Sequence, residues 1–193
     1  MKPRISISGE ACILFALLCL VLPLQWLFAA FFAAAFHELC HILAVYAAGG
    51  RLLSLKLGSF GALLDGSPLP PVPALLGILA GPAGSLLLLA AGPCFPKLAF
   101  CGLVHGMFNL LPLGHLDGSR ALEILCFLLF PQETGRRVLF CIRFFVGTLL
   151  LLAGVYSCFV WKLGIFPLML LLFLSYKGIC GKIPCIGAKV GVQ

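Results

Sequence analysis

The chain has 193 residues, of which 62% are hydrophobic and 10% charged, with a mean hydropathy of +1.18. Soluble domains keep about a quarter of their residues charged, so this balance excludes one and indicates an integral membrane protein. The net charge of +7 is the excess of 13 Lys and Arg over 6 Asp and Glu, and the basic residues are scattered along the chain without a stripe or cluster. That scatter excludes a nucleic-acid interface and leaves the basic residues a topological role.

A helix needs about 20 apolar residues to cross roughly 30 Å of hydrocarbon, and about six such runs follow one another. The first covers residues 11–24 and the second residues 26–48, with Pro23 and Gln25 making a tight turn between them. The basic start and the alanine-rich stretch imitate a cleaved signal peptide, but cleavage there would cut just before His37 and strip the first span from the chain. With six spans, Lys2, Arg4, Arg51, Lys56, Arg136, Arg137, Lys177, Lys182 and Lys189 fall inside, leaving mainly Lys97 and Lys162 outside. Both termini are therefore expected in the cytoplasm.

The second half of the second run contains His37-Glu38-Leu39-Cys40-His41. Polar groups at membrane depth are expensive and mark function. On a helix, H-E-x-x-H sets two imidazoles one turn apart on one face, close enough to share a metal ion, with the glutamate beside that face. In zinc hydrolases such a glutamate is no ligand but takes a proton from water whose pKa the metal has lowered to about 7. Cys40 lies near the same face, yet as a ligand it would close the coordination position a hydrolase keeps open.

Gly49 and Gly50 end this helix, and residues 52–64 alternate loosely between turn residues, which reads as a short hairpin with a plain connecting loop as the alternative. Such a strand edge could accept an unwound substrate by main-chain hydrogen bonds. Pro68, Pro70, Pro71 and Pro73 lead into the third span, residues 74–91, which carries Gly81-Pro82-Ala83-Gly84-Ser85. Glycines flanking a proline permit close helix packing.

The fourth span, residues 98–113, contains His105 and Asn109 and runs into a break at residues 112–118, followed by an apolar helix to residue 130. Broken backbone at membrane depth lines a cavity or is buried in protein, which makes this segment a site candidate. Residues 131–137 read as a polar loop, and the fifth and sixth spans, residues 138–161 and 163–176, as scaffold without ionisable constellations. Arg120 and Glu123 read as a local pair. The ten cysteines lie mostly in apolar runs and are expected as free thiols rather than a disulfide framework.

A catalytic zinc has three protein ligands, so His37 and His41 need a partner from elsewhere. Asp117, in the broken segment, is the leading choice, with His115 and His105 as competitors. His105 and His115 are otherwise expected as hydrogen-bonding supports of the ligands.

These residues resemble the site-2 proteases, zinc metalloproteases that cut within or next to transmembrane helices. The resemblance covers about residues 26–130, a three-span catalytic core, and rests on three motifs in order: residues 37–41, Gly81-Pro82-Ala83-Gly84, and Asn109-Leu110-Leu111-Pro112 leading to Leu116-Asp117-Gly118. It is nearest to the stage IV sporulation protein FB group. The resemblance implies one Zn2+ per chain held by His37, His41 and Asp117, Glu38 as general base and acid, and Asn109 near the substrate backbone or oxyanion. Ser85 stands where asparagine is common, Ser119 where a second glycine is frequent, and His115 where proline is frequent.

The expected architecture is an all-α polytopic membrane protein of about six helices with a short membrane-associated β-hairpin, forming one domain over residues 1–193 with neither PDZ nor CBS domain. The resemblance further implies a transmembrane protein substrate such as a membrane-tethered transcription-factor precursor, a membrane inhibitor or regulator, and residence in a bacterial cytoplasmic membrane. A non-catalytic zinc-binding membrane protein or transporter is the alternative function.

Overall fold

The computed structural model describes residues 4–7, 9–58, 61–114, 116–160 and 172. The chain divides into two compact units, Met1–Phe108 and Asn109–Gln193. The first runs β1 (Arg4–Ile7), α1 (Gly9–Val21), α2 (Leu24–Ala47), β2 (Leu52–Gly58), β3 (Gly61–Gly66), α3 (Pro71–Leu87) with a 3-10 turn at Leu88–Ala91, and α4 (Pro96–Asn109). The second carries α5 (Asp117–Leu129) and α6 (Gln132–Val160).

Prolines set the helix starts in the first unit. Pro23 and Pro70 stand just before α2 and α3 with ψ of 142° and 155°, the extended geometry from which a helix begins. α2 ends where Gly49 takes φ +77°, in the left-handed region that glycine enters without strain. Gly50 N–H then bonds back to Val45 O at 2.9 Å.

Among the described residues, three helices are long and apolar enough to cross a bilayer: Leu24–Ala47, Pro71–Ala91 and Gln132–Val160. They define an integral membrane protein, and their outward residues fit lipid contact: Phe28 on α2 is 64% exposed and Phe159 on α6 is 81% exposed. α1 and α4 have 13 and 14 residues. At 1.5 Å per residue each covers about 20 Å, short of the hydrocarbon core. The expected sixth span, residues 163–176, falls outside the described residues apart from residue 172.

The sheet has the order β1-β2-β3. β2 and β3 pair antiparallel from Leu52↔Gly66 to Gly58↔Gly61, with an irregularity between Leu52 and Ser54. β1 pairs parallel to β2, from Arg4↔Ser54 to Ile7↔Leu57. The parallel arrangement is available because α1 and α2 together form the long crossover such a pair requires. At four residues, β1 is too short to announce itself by alternation.

In the second unit the chain folds back before α5. Gly114 has φ +58°, Leu113 is 1% exposed, and Leu113 N–H bonds to Leu111 O at 2.9 Å. Gly118 lies so close to the Leu110 carbonyl that an added Cβ would collide with it. Of the expected break at residues 112–118, Asp117 and Gly118 already belong to α5, and the break begins after Asn109, where α4 ends. Residues 132–137, expected as a loop, are the first turns of α6, where Glu133 and Arg136 form an exposed i,i+3 pair at 3.8 Å. Gln132, Glu133, Arg136 and Arg137 are polar but are all adequate helix formers, so polarity alone misled the boundary.

Candidate metal centre

The centre begins with a periodicity. The buried residues of α2 are Ala33, His37 and His41, one every four residues, which puts them in a single row along the helix. Opposite, α3 presents Gly77, Gly81 and Ser85, again four apart and packed antiparallel to the α2 row. Each of these three residues meets a histidine.

His41 donates its Nδ1–H to Gly77 O at 2.8 Å. A carbonyl only accepts, so this contact fixes the proton of a neutral His41 on Nδ1 and leaves Nε2 with a lone pair. Gly81 lies against the His41 ring, and a Cβ there would collide with the imidazole. His37 Nδ1 is hydrogen-bonded to Ser85 Oγ at 2.8 Å, and both residues are buried. Gly84, beside the row, is equally close to Cys40, whose thiol a Cβ would strike. Small residues on α3 therefore bring the two helices close enough for a backbone carbonyl and a hydroxyl to hold the imidazoles.

The ring nitrogens not used in these bonds converge. His41 Nε2 lies 3.1 Å from His37 Nε2, and the rings meet edge to face. Two nitrogens bound to one tetrahedral zinc at 2.0–2.1 Å stand about 3.3 Å apart, so the pair fits a shared metal ion. The nitrogen chemistry, the buried setting and the Nδ1 partners agree on that fit.

Glu38 follows His37 and is turned about 100° from it around α2. Its Oε2 is sealed from solvent. His105 on α4 stacks edge to face on His37 with ring centroids 4.7 Å apart. α4 reaches this position through two glycines: a Cβ at Gly102 would lie 2.7 Å from Ser85 O, and one at Gly106 would lie 3.0 Å from Ser85 Cβ. The first unit thus brings together His37, Glu38, His41 and His105 of the expected site.

Ser85 and the Gly77 carbonyl were not anticipated as holders of the histidines. The signal for both is the spacing Gly77, Gly81, Ser85, a helical row within the glycine-proline element.

In the second unit Asn109 is the last residue of α4, and Asp117 is the first residue of α5, in its opening turn. His115 lies outside the described residues. α5 also carries an unanticipated network. Arg143 of α6 donates from Nη2 to Ser119 Oγ at 2.6 Å and stands 3.9 Å from Glu123 Oε2. Ser119 is 0% exposed, Glu123 4% and Arg143 8%. The fifth span therefore contains a buried ionic partner, and Glu123 pairs across to α6 as well as lying beside Arg120 on its own helix. Among the described residues the cysteines are free thiols.

No protein-family model matches the chain, and no curated protein does. Among solved structures the chain is similar to the Site-2 Protease from Methanocaldococcus jannaschii, with a TM-score of 0.63, 93% of each chain covered and 18% sequence identity. At that identity the likeness shows a shared fold.

Proposed function

We propose that the chain is an intramembrane zinc metalloprotease of the site-2 protease type. The observation carrying this reading is the convergence of His37 Nε2 and His41 Nε2, each imidazole held through Nδ1 by α3. Asp117 is the third ligand in this reading, completing with His37 and His41 a donor set of two imidazoles and one carboxylate. Two imidazoles and one carboxylate leave a fourth position open, the coordination of a catalytic rather than a structural zinc.

The bound ion would supply acidified water and a Lewis-acid contact to the scissile carbonyl. The Glu38 carboxylate takes the proton of the attacking water and delivers it to the amide nitrogen as the C–N bond breaks. Asn109 offers its amide to the substrate backbone or to the developing oxyanion. His105 braces the His37 ring. Unlike a structural site, such a centre has use for a carboxylate between the two ligands.

The substrate in this reading is a helix of another membrane protein, such as a membrane-tethered transcription-factor precursor, unwound locally because a helix shields its carbonyls. An extended segment would pair along the sheet edge. The remaining elements of the proposal are six spans, cytoplasmic termini, a bacterial cytoplasmic membrane, a membrane regulator, and kinship with the sporulation protein FB group.

Zinc content and cleavage of a membrane-tethered reporter test the reading in the native chain, Glu38→Gln and Asp117→Ala. Expected are cleavage by the native chain alone, zinc retained by Glu38→Gln, and zinc weakened in Asp117→Ala. Zinc without cleavage of any membrane substrate would replace the reading with a non-catalytic zinc protein, and absence of zinc would remove both.

A further inference from the structure

The Ser119–Arg143–Glu123 network lies outside the histidine site. Ionisable groups inside apolar helices are rare and mark function. Arg143 Nε–H has no hydrogen-bond partner among the described residues, so the buried guanidinium carries one unsatisfied donor.

Helix geometry says what the network grips. Ser119, Glu123 and Cys126 fall within about 60° of one another around α5, at 100° per residue. That face packs on α6: Arg143 reaches Ser119 and Glu123, and a Cβ at Gly135 would lie 3.1 Å from Cys126 O. On α6 the buried residues Gly135, Leu139, Arg143 and Gly147 form one row four residues apart. Asp117 falls about 160° away from Ser119, on the side of α5 turned from α6. Arg143 therefore clasps the first turn of α5 from behind the aspartate.

We propose that Arg143, through Ser119 Oγ, is the positioning residue for Asp117. This inference rests on the reading of Asp117 as a ligand. A helix N-terminal turn has few backbone bonds of its own and frays. The 2.6 Å bond from a charged donor pins that turn laterally, while the Gly118 contact with the Leu110 carbonyl pins it to the preceding loop. Glycine at position 119 could not accept this bond. The serine there makes α6 part of the ligand's support.

Chelator competition with Zn2+ and the absorption spectrum of the Co2+-substituted full chain, both in detergent, test the proposal beside unfolding of the metal-free chain. The native chain and Asp117→Ala establish the ligand. Ser119→Ala is expected to lose roughly ten-fold in Zn2+ affinity, the scale of an outer-shell partner, and to alter the Co2+ spectrum. Arg143→Met combined with Glu123→Leu replaces the clasp by apolar packing, so it is expected to remain folded yet lose affinity like Ser119→Ala. Native-like affinity and spectrum in both variants, with Asp117→Ala weakened, would overturn the positioning role and spare the ligand reading. Native-like affinity in Asp117→Ala, or no metal in the native chain, would overturn the ligand reading and the positioning role with it.

Discussion

His41 and Gly77 are joined by a 2.8 Å hydrogen bond from Nδ1 to a helix carbonyl. The bond shows how a bundle of apolar helices orients a buried imidazole without adding a second polar side chain. The Gly77 carbonyl has two lone pairs, and only one is used along its own helix. One turn further, Gly81 leaves the volume that the imidazole occupies. The row therefore allows very different effects from the same substitution.

Gly81→Ala is expected to destabilise the chain by about 1–3 kcal/mol, as overpacking does, and to displace the His41 ring. Gly77→Ala is expected to stay within about 1 kcal/mol of native, because its Cβ meets Val45 Cγ2 at an ordinary 3.7 Å and alanine favours helix. Unfolding in detergent, with zinc content, separates the two.

Ser85→Ala removes the partner of His37 Nδ1 and should weaken zinc binding by roughly 10- to 100-fold. The cavity left by one hydroxyl is small, so the fold should survive. Chelator competition reads the affinity. A native value would leave His37 oriented by packing alone.

Glu38→Gln should lower cleavage by about 10²- to 10⁴-fold, the contribution of a positioned proton carrier, with zinc content unchanged. His37→Ala and His41→Ala should lose both. The contrast separates a residue that moves a proton from residues that hold the ion.

Zinc should also stabilise the fold. A ligand at a hundred times its dissociation constant adds about 2.7 kcal/mol to the state that binds it. Native chain and Glu38→Gln should both melt higher with zinc than after chelation, and His37→Ala should not respond.

The spacing of His37, Glu38 and His41 within an apolar run was legible at once, because a helical motif is local. The glycine-proline element was legible as close packing, but not as the support of the histidines, since that needs the register of α2 against α3. Arg143 was overlooked for the same reason: its partners lie 20 and 24 residues away on another helix. Polar residues 132–137 hid a helix start, and β1 offered four residues of an alternation that needs more. Local pattern thus marked the histidine row, while the supporting partners depended on tertiary register.

Ser85 and Gly106 meet with almost no space between them, a Cβ on the glycine falling 3.0 Å from that of the serine. Their sizes are consequently linked: a larger residue at 85, such as an asparagine, demands that α4 withdraw, and a larger residue at 106 demands that position 85 shrink. Over evolutionary time the two positions should change together, so that relatives with a bulkier group holding the histidine carry a compensating difference on α4.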